Sequence, residues 1–229
     1  MLPIADWGDG IGRRLFEAIA ARPALRLCLP TGSTPMPAYR SFAHRGGSLR
    51  DATVFLLDEF GLPPGHPARG DSMIRRTLLD HLEGPPQHMH ALDPAASDLV
   101  AECHRYEAAV LDGGLDLTLL GLGGNGHLGL NEPGSERATR TRRVALAAET
   151  IEHAEEYGSG ERPAWGLTMG IGTILESREV WLLVTGAHKA AILRRALSGP
   201  IGAEVPASYL RTHRNALVLA DEAAAVQLG

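Results

Sequence analysis

Cysteine, positive charge and long apolar runs are all scarce in this sequence. Its 229 residues include two cysteines, Cys28 and Cys103, and neither sits in a C-x-x-C pattern or a ligand cluster. A disulfide framework is therefore not expected, and a reducing compartment is the default. Cys28 falls in an apolar run and reads as a small core residue. No apolar stretch approaches the roughly 20 residues that a membrane span requires. The opening residues MLPIADWGDG lack the basic start and apolar centre of a secretory signal, so a cytoplasmic protein is expected. Lys and Arg total 22 against 27 Asp and Glu, for a net charge of -5, and the isoelectric point is near 6.0. That balance argues against a nucleic-acid surface. It also means that any anion site must be built locally, from backbone N–H groups and a few placed cations. The histidines other than His127 show no metal-ligand spacing, so no metal is expected.

What is present is ordinary globular material, 44% apolar and 21% charged, enough for one domain over residues 1–229. Five short apolar runs stand out: 25–30 (LRLCLP), 53–57 (TVFLL), 116–121 (DLTLLG), 180–184 (VWLLV) and 216–220 (ALVLA). Each is nearly continuous rather than alternating, as strands buried on both faces read. Helical patterns lie between them. Residues 11–21 carry Ile11, Leu15 and Ile19 on one stripe, 73–82 and 97–111 follow with Ser97 as the N-cap of the latter, and 188–197 comes after the fourth run. Strands alternating with helices give an α/β fold, a mainly parallel sheet flanked by helices. Residues 61–70 and 156–163 are the segments expected to be mobile loops.

Four of the five runs lead at once into polar or glycine-rich motifs: Thr31-Gly32-Ser33-Thr34-Pro35, Asp58-Glu59, Gly123-Gly124-Asn125-Gly126-His127, and Thr185-Gly186-Ala187-His188-Lys189. In a parallel sheet all four lie at one edge, where ligands of open α/β sheets bind. Thr31 to Thr34 precede a helix starting near Pro35 and Met36, and free N–H groups at that start, with three hydroxyls, suit an anion. Lys189 can add a point charge, though alone it reads better as an ordinary surface lysine. Adjacent strand residues face opposite ways, so one of Asp58 and Glu59 faces the crevice as a general base, while a cap or ion-pair role remains open for either. The stretch 123–135, GGNGHLGLNEPGS, is the least bland. Its glycines allow close backbone approach or positive φ, and His127 with Glu132 in one tight loop suits coupled proton transfer.

The motifs TGSTP, LDEF, GLGGNGHLGLNEPGS, TMGIGTIL, VTGAHKA and PASYL occur in an order and spacing that resemble the glucosamine-6-phosphate deaminases and isomerases. That family includes galactosamine-6-phosphate deaminases and is related to 6-phosphogluconolactonases. The likeness runs from about Leu27 to Glu222, and the continuation Asn131-Glu132-Pro133-Gly134 favours the deaminase branch over the lactonases. The resemblance implies a single Rossmann-like domain that turns an amino-sugar 6-phosphate into a ketose 6-phosphate and ammonia. It implies Asp58 as the base moving a proton between C2 and C1, His127 as the group assisting ring opening, Glu132 as its carboxylate, and Asn125 at a position where many relatives carry Asp. Thr31, Gly32, Ser33 and Thr34 match the loop that holds the 6-phosphate, with Lys189 as basic partner. No metal or organic cofactor is implied. The expected partner is a small-molecule sugar phosphate rather than nucleic acid or membrane, with homo-oligomerisation left open.

Two departures accompany the likeness. Many relatives carry a phosphate-binding arginine shortly before the segment matching TMGIGTIL, whereas here the region reads Ile151-Glu152-His153-Ala154-Glu155-Glu156, which leaves either Arg162 to take that part or the phosphate to be held more weakly. The loop after Glu59 also lacks the usual Ser-Tyr pair. Both departures resemble the galactosamine-6-phosphate branch, and the motifs do not separate the C4 epimers. A lactonase would use His127 on water without needing Asp58 as a carbon base. A sensor would need only the phosphate loop and Lys189.

Overall fold

A computed structural model describes residues 4–155 and 162–228. The first helix, α1, spans Ile4–Ala21 and leads to the short strand β1, Arg26–Leu29. Then follow α2 (Met36–His44), β2 (Thr53–Leu56), β3 (Asp58–Phe60), α3 (Gly70–Thr77), β4 (His88–His90) and α4 (Leu99–Leu111). The second half holds β5 (Leu117–Gly121), β6 (Arg142–Ala145), α5 (Ala148–Glu155), β7 (Trp165–Thr168), α6 (Ile171–Leu175), β8 (Glu179–Val184), α7 (Ala190–Ser198), β9 (Ala216–Ala220) and α8 (Glu222–Ala225).

Six of these strands form one parallel sheet in the order β4-β2-β1-β5-β8-β9. The chain starts at the centre, winds outward through β2 and β4, then returns to β5 and winds out the other way. The order therefore reverses between β1 and β5, and the crevice beyond their carboxyl ends is where such sheets take ligands. Alternate strand residues serve opposite faces. Leu27, Leu29, Val54, Leu56, Leu117 and Leu119 pack with Trp7, Ile11, Leu15 and Ile19 of α1 and with Tyr39 and Phe42 of α2. Cys28, Phe55, Leu120 and Leu182 pack with Tyr106 of α4, Ile171 and Ile174 of α6, and Leu193 of α7. Each fully buried Leu or Ile on these faces contributes roughly 1.5–3 kcal/mol.

All five expected strands are present. The 11–21 stripe is the buried face of α1, which starts earlier, at Ile4, and adds Trp7 to that face. The helix expected from 73 begins at Gly70 and ends at Thr77, followed by a 3-10 turn over Leu79–His81. The cap expected at Ser97 is instead Asp98, whose carboxylate accepts from the N–H groups of Val100 and Ala101. Asp98 stands one residue nearer the first free N–H groups, and its charge favours that end of the helix dipole. Within 61–70, Leu62, Ala68, Arg69 and Gly70 are buried, so the carboxyl end of that loop packs against the fold. Of the second expected loop, 156–161 lie outside the described residues.

A second, antiparallel sheet of order β3-β7-β6 was not foreseen. Its first strand continues β2 after a single residue, Leu57. The Leu57 N–H bonds the Leu29 carbonyl of the large sheet, while its carbonyl accepts from the Met169 N–H beside β7. The chain changes sheets at that point, and Asp58 is the first residue beyond it, in register with Thr168.

Candidate active site

A cavity of about 780 Å³ opens at the carboxyl ends of β1 and β5, where the strand order reverses. Thr31, Gly32, Ser33 and Thr34 line one side of it. Their loop is fixed from below by the Tyr39 hydroxyl, which donates to the Pro30 carbonyl at 2.8 Å. It runs into α2, whose first turn contains Pro37, a position where a proline's missing N–H is not needed. Thr185, His188 and Lys189, from the turn after β8, line the rim as well. Burial lowers the Lys189 ammonium from its ordinary value, and the Glu149 carboxylate opposes that effect.

The pair Asp58-Glu59 divides as strand geometry requires. Asp58 lines the cavity, where burial raises its carboxyl from 3.8 to about 6, partly offset by His127. Glu59 faces the other way and is 2% exposed. It accepts from the N–H groups of Gly70 at 2.7 Å and Asp71 at 3.2 Å, capping α3, and lies 3.7 Å from Arg69. Burial raises Glu59 to about 7, against those contacts. Asp58 thus faces the cavity, and Glu59 takes the cap and ion-pair role.

The glycine-rich segment folds as a tight turn. The Gly123 N–H bonds the His127 carbonyl at 3.0 Å and the Gly126 N–H bonds the Gly123 carbonyl at 3.1 Å. Gly126 sits at φ +93, a left-handed conformation that favours glycine. A Cβ on Gly123 would come within 2.4 Å of the His127 ring, so this position must be bare for the imidazole to lie flat on the turn. Asn125 does not line the cavity. It sits behind the histidine, where its Oδ1 accepts from the His127 N–H at 3.1 Å and its Nδ2 donates to Glu132 Oε2 at 2.9 Å. His127 Nδ1 lies 3.3 Å from the same Oε2, close enough for an ion pair but out of line for a hydrogen bond. Burial alone would raise the Glu132 carboxyl; contacts from His127, Thr150 and Asn125 outweigh it and hold the group at about 2. Beneath the turn, the fully buried Asn131 donates to the Leu128 and Met169 carbonyls and accepts from Arg142.

Arg162 is exposed and is not among the described residues that line the cavity. Lys189 is the lysine that lines the wall. The sequence reading also missed α5, which brings Glu149, Thr150 and Glu152 to the cavity. Glu149 leans over the glycine shelf, with Oε1 where a Cβ on Gly124 would stand. The signal for this helix was weak, since Ala147-Ala148-Glu149-Thr150 carries little apolar period. Among the described residues, no group of three or more His, Cys, Asp and Glu side chains is arranged to hold a metal ion, and no helix is long and apolar enough to cross a membrane.

Over residues 4–219 the sequence matches the family described as glucosamine-6-phosphate isomerases/6-phosphogluconolactonase. The chain belongs to this family. Within it, the chain is 43% identical over 219 residues to a glucosamine-6-phosphate deaminase of Pseudarthrobacter chlorophenolicus, covering 93% of this chain and 85% of the relative. It is 39% identical to another of the same name from Hahella chejuensis, covering 98% and 90%. A monomeric glucosamine-6-phosphate deaminase of known structure superposes with a TM-score of 0.94 at 34% identity, covering 99% of this chain and 98% of that one. A 6-phosphogluconolactonase from Trypanosoma brucei shares the fold, with a TM-score of 0.74 at 22% identity over 99% and 96% of the two chains.

Proposed function

We propose that this protein is an isomerising deaminase that converts glucosamine 6-phosphate and water to a ketose 6-phosphate and ammonia. The observation that carries the reading is that one cavity holds Asp58 and His127 on its catalytic wall and the Thr31–Thr34 loop with Lys189 on its rim. The loop N–H groups, the hydroxyls and the Lys189 ammonium hold the 6-phosphate. As the pyranose opens to the aldehyde, His127, backed by Glu132, passes a proton to the ring oxygen and is reprotonated by the one the C1 hydroxyl releases. Ionised Asp58 takes the C2 proton while the C1 oxygen takes one from the substrate ammonium, giving the enolamine, and Asp58 returns its proton to C1, leaving an iminium at C2. Water adds to that iminium, the C–N bond breaks, and ammonia departs. Asn125 aligns His127 with Glu132 from behind. No metal or organic cofactor has a part in these steps, and every named group comes from one chain. The reading includes a cytoplasmic setting, which suits the buried free thiols Cys28 and Cys103.

The site's carboxylates favour the deaminase over a lactonase, because ester hydrolysis needs no carbon base such as Asp58. The test is incubation with glucosamine 6-phosphate, galactosamine 6-phosphate and 6-phosphogluconolactone, followed by assay of ammonia and ketose phosphate. Ammonia from glucosamine 6-phosphate is the expected result. Ammonia from the 4-epimer alone would reassign the sugar, and lactone hydrolysis without ammonia would overturn the reading.

A further inference from the structure

Glu132 is held on both edges of its carboxylate, by two different elements. On one edge, Oε2 receives Asn125 Nδ2 at 2.9 Å and lies 3.3 Å from His127 Nδ1. Asn125 and His127 belong to the same glycine-rich turn and move together. On the other edge, Oε1 accepts from the Thr150 hydroxyl at 2.5 Å and from the Ala147 N–H at 3.3 Å, both at the start of α5. A carboxylate gripped on one edge can turn about its Cγ–Cδ bond; gripped on both, its plane is fixed. That plane decides whether Nδ1 of His127, 3.3 Å from Oε2, meets that oxygen in line. Catalytic hydrogen bonds of this kind tighten when substrate binds.

We propose that Thr150 is a positioning residue that sets the plane of Glu132 and, through it, aligns His127 for ring opening. This inference rests on the proposed deaminase chemistry. Thr150 is 5% exposed, and a valine of the same shape would fill its space, so the hydroxyl is the part that matters. Its hydrogen bond to a charged acceptor is of the stronger class, and it is among the contacts that hold Glu132 ionised against burial. Glu149 and Glu152 of the same helix line the cavity, so contact with substrate and the grip on Glu132 share one short rigid element. Among the described residues, the other charged or titratable groups that line the cavity with His127 are Asp58 from β3, those two glutamates from α5, and His188 and Lys189 from the turn after β8. All are unchanged in the variants below.

The test compares full-length wild type, Thr150→Val and Thr150→Ser. With glucosamine 6-phosphate, Thr150→Val is expected to lose roughly tenfold in kcat with KM nearly unchanged, the scale of one lost hydrogen bond to a charged group. Thr150→Ser should restore kcat. The NMR chemical shifts of the His127 ring, which need no turnover, should change in Thr150→Val and return in Thr150→Ser. A kcat that falls with no change in the His127 ring resonances, or a serine variant that behaves as the valine does, assigns Thr150 a packing role and overturns the inference. Wild-type kcat in Thr150→Val overturns it as well. Absence of ammonia from wild type counts against the proposed function, while the NMR comparison still judges Thr150. Thermal melting of each variant identifies any loss of fold, in which case Thr150→Ala against Thr150→Ser at lower temperature gives the same comparison.

Discussion

Replacing Asp58 with asparagine should abolish turnover and at the same time make the protein more stable at neutral pH. Burial raises this carboxyl from 3.8 to about 6, so the folded state binds its proton more tightly than the unfolded chain does. Below about pH 4 both states are protonated and the group has no effect on stability. As pH rises toward 6 the unfolded chain ionises first, and stability is lost until the folded group ionises too; above about 6 the loss is constant. A shift of about two units at 1.36 kcal/mol per unit makes that loss about 3 kcal/mol. Asparagine has nearly the same shape and cannot ionise, so Asp58→Asn recovers most of it at pH 7.5. For a chain of this size the melting temperature should rise by roughly 6–12 °C, and the gain should shrink almost to nothing at pH 4. Ammonia release should vanish while substrate binding, followed by calorimetry, persists. The wild-type rate should also fall as pH drops through about 6, because the base must be ionised to take the C2 proton. An Asp58→Asn protein that melts at or below the wild type at pH 7.5, or with the same offset at both pH values, refutes the burial reasoning. One that retains a near-normal rate shows that Asp58 is not the base.

Three further variants separate chemistry from binding. Gly123→Ala places a methyl within 2.4 Å of the His127 ring; displacing the ring should cost about a hundredfold in kcat with a normal melting temperature, and a wild-type kcat would show that the ring position is not critical. Lys189→Ala should raise KM for the sugar phosphate by about ten- to a hundredfold, the range of a hydrogen bond to a charged group, with kcat much less affected. Glu149→Gln should act in the opposite direction, lowering both KM and the inhibition constant of inorganic phosphate a few-fold, since it removes a carboxylate beside Lys189 from the path of an anion.

The parallel sheet was legible because strands buried on both faces leave continuous apolar runs, and the four motifs that follow those runs supply the cavity's glycines, hydroxyls, base and lysine. The small antiparallel sheet was not legible. Arg142–Ala145 alternates between half-buried and exposed residues and contains two arginines, so it has no core face to betray it. β3 is hidden because it follows β2 after a single residue, and a change of sheet within a continuous chain leaves no apolar boundary. Helix α5 failed to appear for a related reason: it is held by hydrogen bonds to Glu132 and by its place over the glycine shelf more than by an apolar stripe. The expectation for Arg162 came from the resemblance, not from any local pattern; the residue is exposed, and the Thr31–Thr34 loop and Lys189 are the described residues proposed to hold the phosphate.

These differences in legibility follow a division within the site. The rim proposed to bind the anion comes from the turns after β1 and β8, features that any parallel sheet of this order presents at its reversal point. Most of the proposed proton-transfer wall comes from the excursion between β5 and β8. That segment supplies His127 and Glu132, then β6, then α5 with Thr150, and then β7, whose Thr168 is in register with Asp58. Asp58 is the one reacting group contributed by the other half of the chain, and its backbone is fixed on both sides, by Leu57 bonding to β1 and by β3 pairing with β7. Asp58 is thereby referred to both sheets, while His127 is tied to the excursion through Glu132 and α5 and, through the Gly126 carbonyl, to the Ala207 N–H beyond α7. On the proposed assignments, a change in the position of α5 moves His127 relative to Asp58. Variants on the rim should accordingly appear in KM, variants along the excursion in kcat, and Asp58, where the two sheets meet, is the position at which loss of function and gain of stability coincide.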